Sequence, residues 1–402
     1  MDGAGGGESI GNGPGTGPGG GSVSGGGGGS GSGGGGGSAS RGGGAGGGWV
    51  TWVGVAVAAV LGAVVGGVAV SSNDPDGSGE PAGGSAAPLP DTAQTCAATE
   101  VSAKALPSVV TISASSGQAA GTGSGEVIRS DGYILTNNHV ISLAADGGQV
   151  SVLFNDGRTV PAVITGRDPK SDLAVIKVDG QGELPVIAFG SSEDVRVGQP
   201  VVALGAPLGL SNTVTSGIVS ALDRTIEVPG DDGQTALLVS AVQTDAAINP
   251  GNSGGALVNC AAELIGVPTA GAGIPDASGA SGGGDIGLGF AIPVDHAKSV
   301  SDEIIETGTV THAYFGFNLI TVPANQAGAG GVFIRGVVAG GPAAQAGLKT
   351  GDIVGAIDGS PVTTTNDVAA VTLLKNPGDT VTVDYIRAGK AASAQVKLGA
   401  QP

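Results

Sequence analysis

The chain has 402 residues and a formal net charge of −18, from 16 basic and 34 acidic side chains. With no basic cluster, that balance argues against nucleic acid as a partner. Aromatics make up only 3% of the chain, so Val, Ile, Leu and Ala must build the core, and two cysteines with three scattered histidines offer no metal-ligand spacing and call for no cofactor.

Residues 1–48 hold 28 glycines, almost no apolar side chains and only Asp2, Glu8 and Arg41 as charges. They cannot bury enough surface to offset the entropy of ordering, which predicts a disordered cytoplasmic tail. Residues 49–70 then run for 22 positions without a charge, about 33 Å as a helix at roughly 1.5 Å per residue. This predicts a single-pass transmembrane helix, with Trp49 and Trp52 at its interfacial entrance. Arg41 before the span and Asp74, Asp76 and Glu80 after it place the N-terminus inside and the rest outside. A cleaved signal peptide is the competing reading, disfavoured by the long apolar run and the remote basic residue. Gly54, Ala58, Gly62 and Gly66 recur at the four-residue spacing of close-packed membrane helices, although a glycine-biased composition alone gives the same pattern. Residues 71–95, rich in Gly, Pro, Ser and Asp, read as a flexible linker.

From 96 to 307 come short β-branched runs punctuated by Gly, Asp and Pro, at 109–112, 132–135, 150–154, 173–178 and 200–204. Their spacing is that of barrel or sandwich strands. His139 follows the second run, in Thr136-Asn137-Asn138-His139-Val140, where a strand can present a side chain at the mouth of a cleft. Asp172 stands at the entrance of the run at 173–178. The most informative stretch is Ile248-Asn249-Pro250-Gly251-Asn252-Ser253-Gly254-Gly255-Ala256, after a strand-like segment at 241–247. A serine hydroxyl is a poor nucleophile unless a base takes its proton and backbone N–H groups await the oxyanion. Glycine at 251 can turn its amide and that of Ser253 toward one point, and Gly254-Gly255 clear the approach for a substrate backbone. The order His139, Asp172, Ser253 is a known order of a Ser-His-Asp triad. In that assignment His139 takes the Ser253 proton, Asp172 orients the imidazole, and the amides of Gly251 and Ser253, with Asn252 between, form the oxyanion hole.

Residues 294–307 have helical spacing and would close this domain, with His296 a surface residue. Beyond it, 310–400 read as a separate α+β module. Its signals are a short helix at 342–346 stopped by Gly347, a strand at 352–357 ended by Asp358-Gly359, an amphipathic helix at 365–375 and a strand at 380–387. Cys96 and Cys260 both fall outside the membrane in this topology, where disulfides persist. A bridge is favoured, with two buried thiols as the alternative.

Thr136-Asn137-Asn138-His139-Val140, Ser171-Asp172-Leu173-Ala174-Val175, Gln243-Thr244-Asp245-Ala246-Ala247 through Ser253-Gly254-Gly255, and Gly287-Leu288-Gly289-Phe290-Ala291-Ile292-Pro293 together resemble the HtrA/Deg family of bacterial serine proteases. The resemblance runs over about 101–396. It implies a mainly β chain: a chymotrypsin-like double β-barrel over 96–307, then a PDZ domain over 310–400, commonly in homotrimers. It also implies a serine endopeptidase that degrades unfolded or misfolded proteins in quality control and stress response. Leu288, Gly289 and Phe290 would line an apolar specificity pocket that, lacking an aspartate, suits small aliphatic side chains. Tyr314, Phe315, Gly316 and Phe317 would form the loop that receives a peptide's terminal carboxylate, with an ordinary turn before a strand as the bland alternative. The rival function is a peptide-sensing chaperone or binding protein with a largely inactive protease domain. Three positions depart from the family pattern: Ala256, Pro268 and Glu126. Glu126 replaces an apolar residue, and would either face solvent or alter how the first barrel closes.

Overall fold

Alternating apolar runs broken by glycine and aspartate turns fold into antiparallel sheets that close on themselves. The computed structural model describes residues 96–205, 213–230, 235–275, 281–323 and 331–401. The expected tail, span and linker at 1–95 lie outside these residues. Among the described residues no helix is long and apolar enough to cross a membrane.

A short helix, α1 (Ala98–Ala105), precedes the first barrel and has no counterpart among the sequence expectations. The barrel comprises β1 (Val109–Ser116), β2 (Ala119–Val127), β3 (Tyr133–Thr136), β4 (Gln149–Leu153), β5 (Thr159–Asp168) and β6 (Leu173–Lys177). It closes in the order β1-β2-β3-β6-β5-β4, with α2 (Asn138–Ile141) after β3. Its interior is filled by fully buried Ile112, Val152, Ile134 and Ile176. Each such side chain contributes about 1.5–3 kcal/mol by leaving water.

The second barrel comprises β7 (Ala188–Phe189), β8 (Pro200–Gly205), β9 (Thr213–Pro229), β10 (Thr235–Thr244), β11 (Ala256–Val258), β12 (Glu263–Pro275) and β13 (Ser281–Pro293). The sheet order is β11-β8-β9-β10-β13-β12-β7, and pairing of β11 with β12 closes the ring. A further apolar cluster lies between the barrels, where Val109, Leu135 and Leu173 of the first meet Val202, Leu204 and Val258 of the second. Helix α3 (Val294–Thr307) covers one side of it with Val294, Ala297, Val300 and Ile304, and Gly308 stops it at φ +81°. A disulfide joins Cys96 to Cys260, fastening the segment before α1 to the turn between β11 and β12.

His296 on α3 is half-buried, not a surface residue. It lies near Asp168 and His312, and burial pushes its pKa down, with His312 adding to the shift and Asp168 opposing it. Glu126 is 0% exposed: β2 turns it between Val109 of β1 and Leu135 of β3, into the inter-barrel cluster.

The last module holds β14 (Ala313–Tyr314), β15 (Phe317–Val322), β16 (Gly331–Val337), α4 (Pro342–Gln345), β17 (Ile353–Ile357), β18 (Ser360–Pro361), α5 (Thr365–Leu374), β19 (Thr380–Arg387), β20 (Lys390–Lys397) and β21 (Gly399–Ala400). Strands run β15-β16-β17-β19-β20, β18 adds to β17, and β14 pairs with β21. Asp358 and Gly359, both at positive φ, make the tight turn that their dipeptide predicts. Helix α5 opens on a capping box in which Thr364 and Asp367 satisfy each other's backbone N–H groups. It is not simply amphipathic. Only Val368 is fully buried and most other positions are half-buried, because the helix packs on β14 and β15 and also on β9 and β10.

Candidate active site

Asp172 is placed by a strained turn. It ends the loop joining β5 to β6 with φ 55°, a left-handed conformation that aspartate tolerates better than most residues. Its carbonyl is held there by the Asn138 N–H at 3.1 Å and the Asn137 side-chain amide at 2.9 Å. The carboxylate, on a residue only 1% exposed, then faces His139. Oδ1 accepts the His139 backbone N–H at 2.9 Å, and Oδ2 lies 2.8 Å from His139 Nδ1. A carboxylate can only accept here, so the imidazole carries its proton on Nδ1 and offers Nε2 as a base.

The Thr269 hydroxyl on β12 also donates to Asp172 Oδ2, and the Thr269 carbonyl accepts the Ser253 hydroxyl at 3.3 Å. Thr269 thus ties the carboxylate loop to the serine loop across the barrels. Sequence reasoning missed it, and no local signal marks it, since the contact with Asp172 spans 97 residues.

Ser253 sits in a tight loop secured from behind. The Ser124 N–H donates to the Ser253 carbonyl at 2.8 Å, and the Ser124 hydroxyl donates to the Gly251 carbonyl at 2.7 Å. Gly251 has φ +103° and Gly254 has φ +78°. A Cβ at 254 would come within 2.3 Å of the Ser124 carbonyl, so only glycine fits. The Asn252 N–H closes a turn onto Asn249, while among the described residues the Gly251 and Ser253 amides are not spent on internal hydrogen bonds. His139, Asp172 and Thr269 line a cleft of about 570 Å³, overhung by Val228, Pro229 and Gly230 from the second barrel.

Leu288, Gly289 and Phe290 follow one another on β13. Successive strand residues face opposite ways. A Cβ at Gly289 would meet Ile248, in the approach to Ser253, at 2.5 Å, whereas Phe290 packs against the inter-barrel cluster. In the last module, Phe315 and Gly316 connect β14 to β15, with Tyr314 and Phe317 at the flanking strand ends, beside α5. Phe315 is 2% exposed and stacks on Phe317 at 4.8 Å, and Gly316 turns the chain at φ +76°. The Gly316 and Phe315 carbonyls accept the Val338 and Ala343 N–H groups, each at 2.8 Å. Strand β15 is an edge of its sheet, with Ile320 45% exposed.

Residues 123–267 match the trypsin-like peptidase domain and residues 296–398 the PDZ domain. The chain is 44% identical to the serine protease PepD of Mycobacterium tuberculosis over 86% of its own length and 77% of that protein's. It is 39% identical to a probable periplasmic serine endoprotease, DegP-like, of Rhizobium meliloti, over 70% of this chain but only 53% of that relative. The solved HtrA-type protease AlgW with a decapeptide aligns at 32% identity and a TM-score of 0.59, over 76% of this chain and 99% of that one.

Proposed function

The chain belongs to the HtrA-type serine proteases, with a trypsin-like peptidase domain followed by a PDZ domain, and from that premise we propose that it is an extracytoplasmic endopeptidase for unfolded or misfolded proteins, anchored through residues 49–70. Ser253 attacks the scissile carbonyl and His139 Nε2 takes its proton. Asp172 holds the imidazole and stabilises its cation, and the Gly251 and Ser253 amides receive the oxyanion. The observation that carries this reading is the buried Asp172 carboxylate, 2.8 Å from His139 Nδ1 and bridged by Thr269 to the Ser253 loop. In the described arrangement the serine hydroxyl is given to the Thr269 carbonyl, so attack begins with rotation of that hydroxyl toward His139.

The close approach of Ile248 to Gly289, with no aspartate at 287–293, supports small aliphatic side chains at the cleaved bond. The open edge of β15, ending at residues 314–317 next to α5, supports capture of a peptide C-terminus as an added strand. The names of the DegP-like relatives support the extracytoplasmic location, and the family supports a homotrimer. Digestion of an unfolded protein by the full chain in detergent, with and without Ser253→Ala, tests the reading. The unaltered chain should digest it and the variant should not, and equal digestion by both would leave the peptide-binding chaperone in its place.

A further inference from the structure

The loop that carries Asp172 is held from outside the two barrels. Asp168 pairs with Leu173 at the base of the β5–β6 hairpin, and the loop between them ends at Asp172. The Asp168 side chain is 3% exposed and gathers that loop. Its Oδ2 accepts the Ser171 hydroxyl, and its Oδ1 accepts the Lys170 N–H at 3.3 Å. The remaining partner comes from the connector between α3 and β14, where His312 Nε2 lies 2.8 Å from Asp168 Oδ1 with its side chain 8% exposed. Burial pushes the Asp168 pKa up, but the His312 hydrogen bond and charge, with Ser171 and Lys170, outweigh it and hold the net value below the usual carboxylate range.

The same connector is fastened to the end of the PDZ domain. The Gln401 N–H donates to the His312 carbonyl at 3.0 Å, Ala313 of β14 pairs with Ala400 of β21, and the Lys170 ammonium donates to the Gln401 side chain. A buried pair of this kind adds little stability over an apolar contact of the same volume, but it admits one geometry. The geometry it sets belongs to a loop whose last residue orients His139.

We propose that His312 is a positioning residue of the protease site. By holding Asp168 it keeps Ser171 and Asp172 in the one loop conformation where the Asp172 carboxylate meets His139, so the catalytic carboxylate is set from the connector between the two domains. The inference rests on the proposed function. The charged or titratable groups facing His312 are Asp168, with Lys170 beside it, and His296 on α3.

Misplacing a catalytic group by about 1 Å can cost on the order of 100-fold in rate. The full chain in detergent is assayed on a small chromogenic peptide as His312→Ala, His312→Gln, Asp168→Asn and the double His312→Ala, Asp168→Asn. His312→Ala should lower kcat about 10- to 100-fold with KM unchanged. His312→Gln, which keeps an N–H near the Nε2 position, should recover most of it. The double variant should be no slower than Asp168→Asn alone, because both changes remove one interaction. Ser171→Ala, which leaves the connector intact, should also lower kcat and serves where His312→Ala does not fold. An unaltered kcat, a change confined to KM, no recovery with Gln, or losses that multiply in the double variant would each overturn the proposal. Activity abolished by Ser253→Ala but untouched by His312→Ala removes this inference alone, whereas activity surviving Ser253→Ala removes the protease reading and the inference with it.

Discussion

Glu126 places a carboxyl group in the apolar seam between the barrels, two residues from Ser124, which braces the Ser253 loop. Neither carboxyl oxygen has a hydrogen-bond partner among the described residues, nor does the Thr111 hydroxyl on the neighbouring strand. Burial raises the Glu126 pKa well above the ordinary value, outweighing a smaller lowering by its own backbone N–H, and so favours the protonated form in the fold. Leaving a buried polar group unsatisfied costs about 1–3 kcal/mol. Glu126→Leu, which fills a similar volume without polar atoms, should therefore stabilise the protein by about that amount, less up to ~1.5 kcal/mol for imperfect repacking. The pH dependence is sharper. Unfolded, Glu126 loses its proton near pH ~4.3, whereas folded it keeps the proton to a higher pH. Between those two values unfolding releases a proton, so the contribution of Glu126 to stability is full below the lower value. It then falls by about 1.4 kcal/mol per pH unit until the folded group ionises. Urea unfolding of the unaltered chain and of Glu126→Gln from pH 4 to 8.5 isolates that slope, since all other titrations are shared. The gap should open in favour of Gln as pH rises. A gap that does not change with pH, or a Glu126→Leu variant less stable than the parent at pH 8, would refute the buried, protonated carboxyl.

Thr269→Val removes the hydroxyl on Asp172 at nearly constant volume, and should lower kcat about 10-fold on a small peptide while an active-site serine titration stays complete. The Cys96–Cys260 bridge closes 164 residues of sequence separation, so replacing both cysteines with serine should cost up to about 5 kcal/mol by chain entropy, read as a lower urea midpoint. A reducing agent should lower the midpoint of the parent but not of that variant. Peptides ending in a free carboxylate should bind the chain more tightly than their amides in calorimetry, as the proposed capture of the terminal charge by backbone amides near residues 314–317 requires. Equal affinity would count against that loop.

What could be read ahead of the fold was local. The runs at 109–112, 150–154 and 173–178 became β1, β4 and β6 because short β-branched and apolar stretches bounded by turn residues favour strands, and α3 spans 294–307 because its apolar spacing matches the helical one. Asp358-Gly359 and Gly347 stopped their elements for conformational reasons intrinsic to those residues. Helix α1 escaped notice because Val101 is its one large apolar residue. Glu126, Thr269 and His312 were illegible for a different reason. Their burial and partners depend on which strands the fold stacks against β2, Asp172 and the hairpin, and nothing in the flanking residues encodes those neighbours.

In the proposed mechanism Ser253 is activated by His139. The full chain, treated with a sulfonyl fluoride or an organophosphate at neutral pH and mapped by mass spectrometry, should carry one modification, on Ser253. His139→Ala and Asp172→Ala should slow that labelling by several orders of magnitude without unfolding the protein. Modification elsewhere, or labelling of Ser253 at the same rate in His139→Ala, would contradict it.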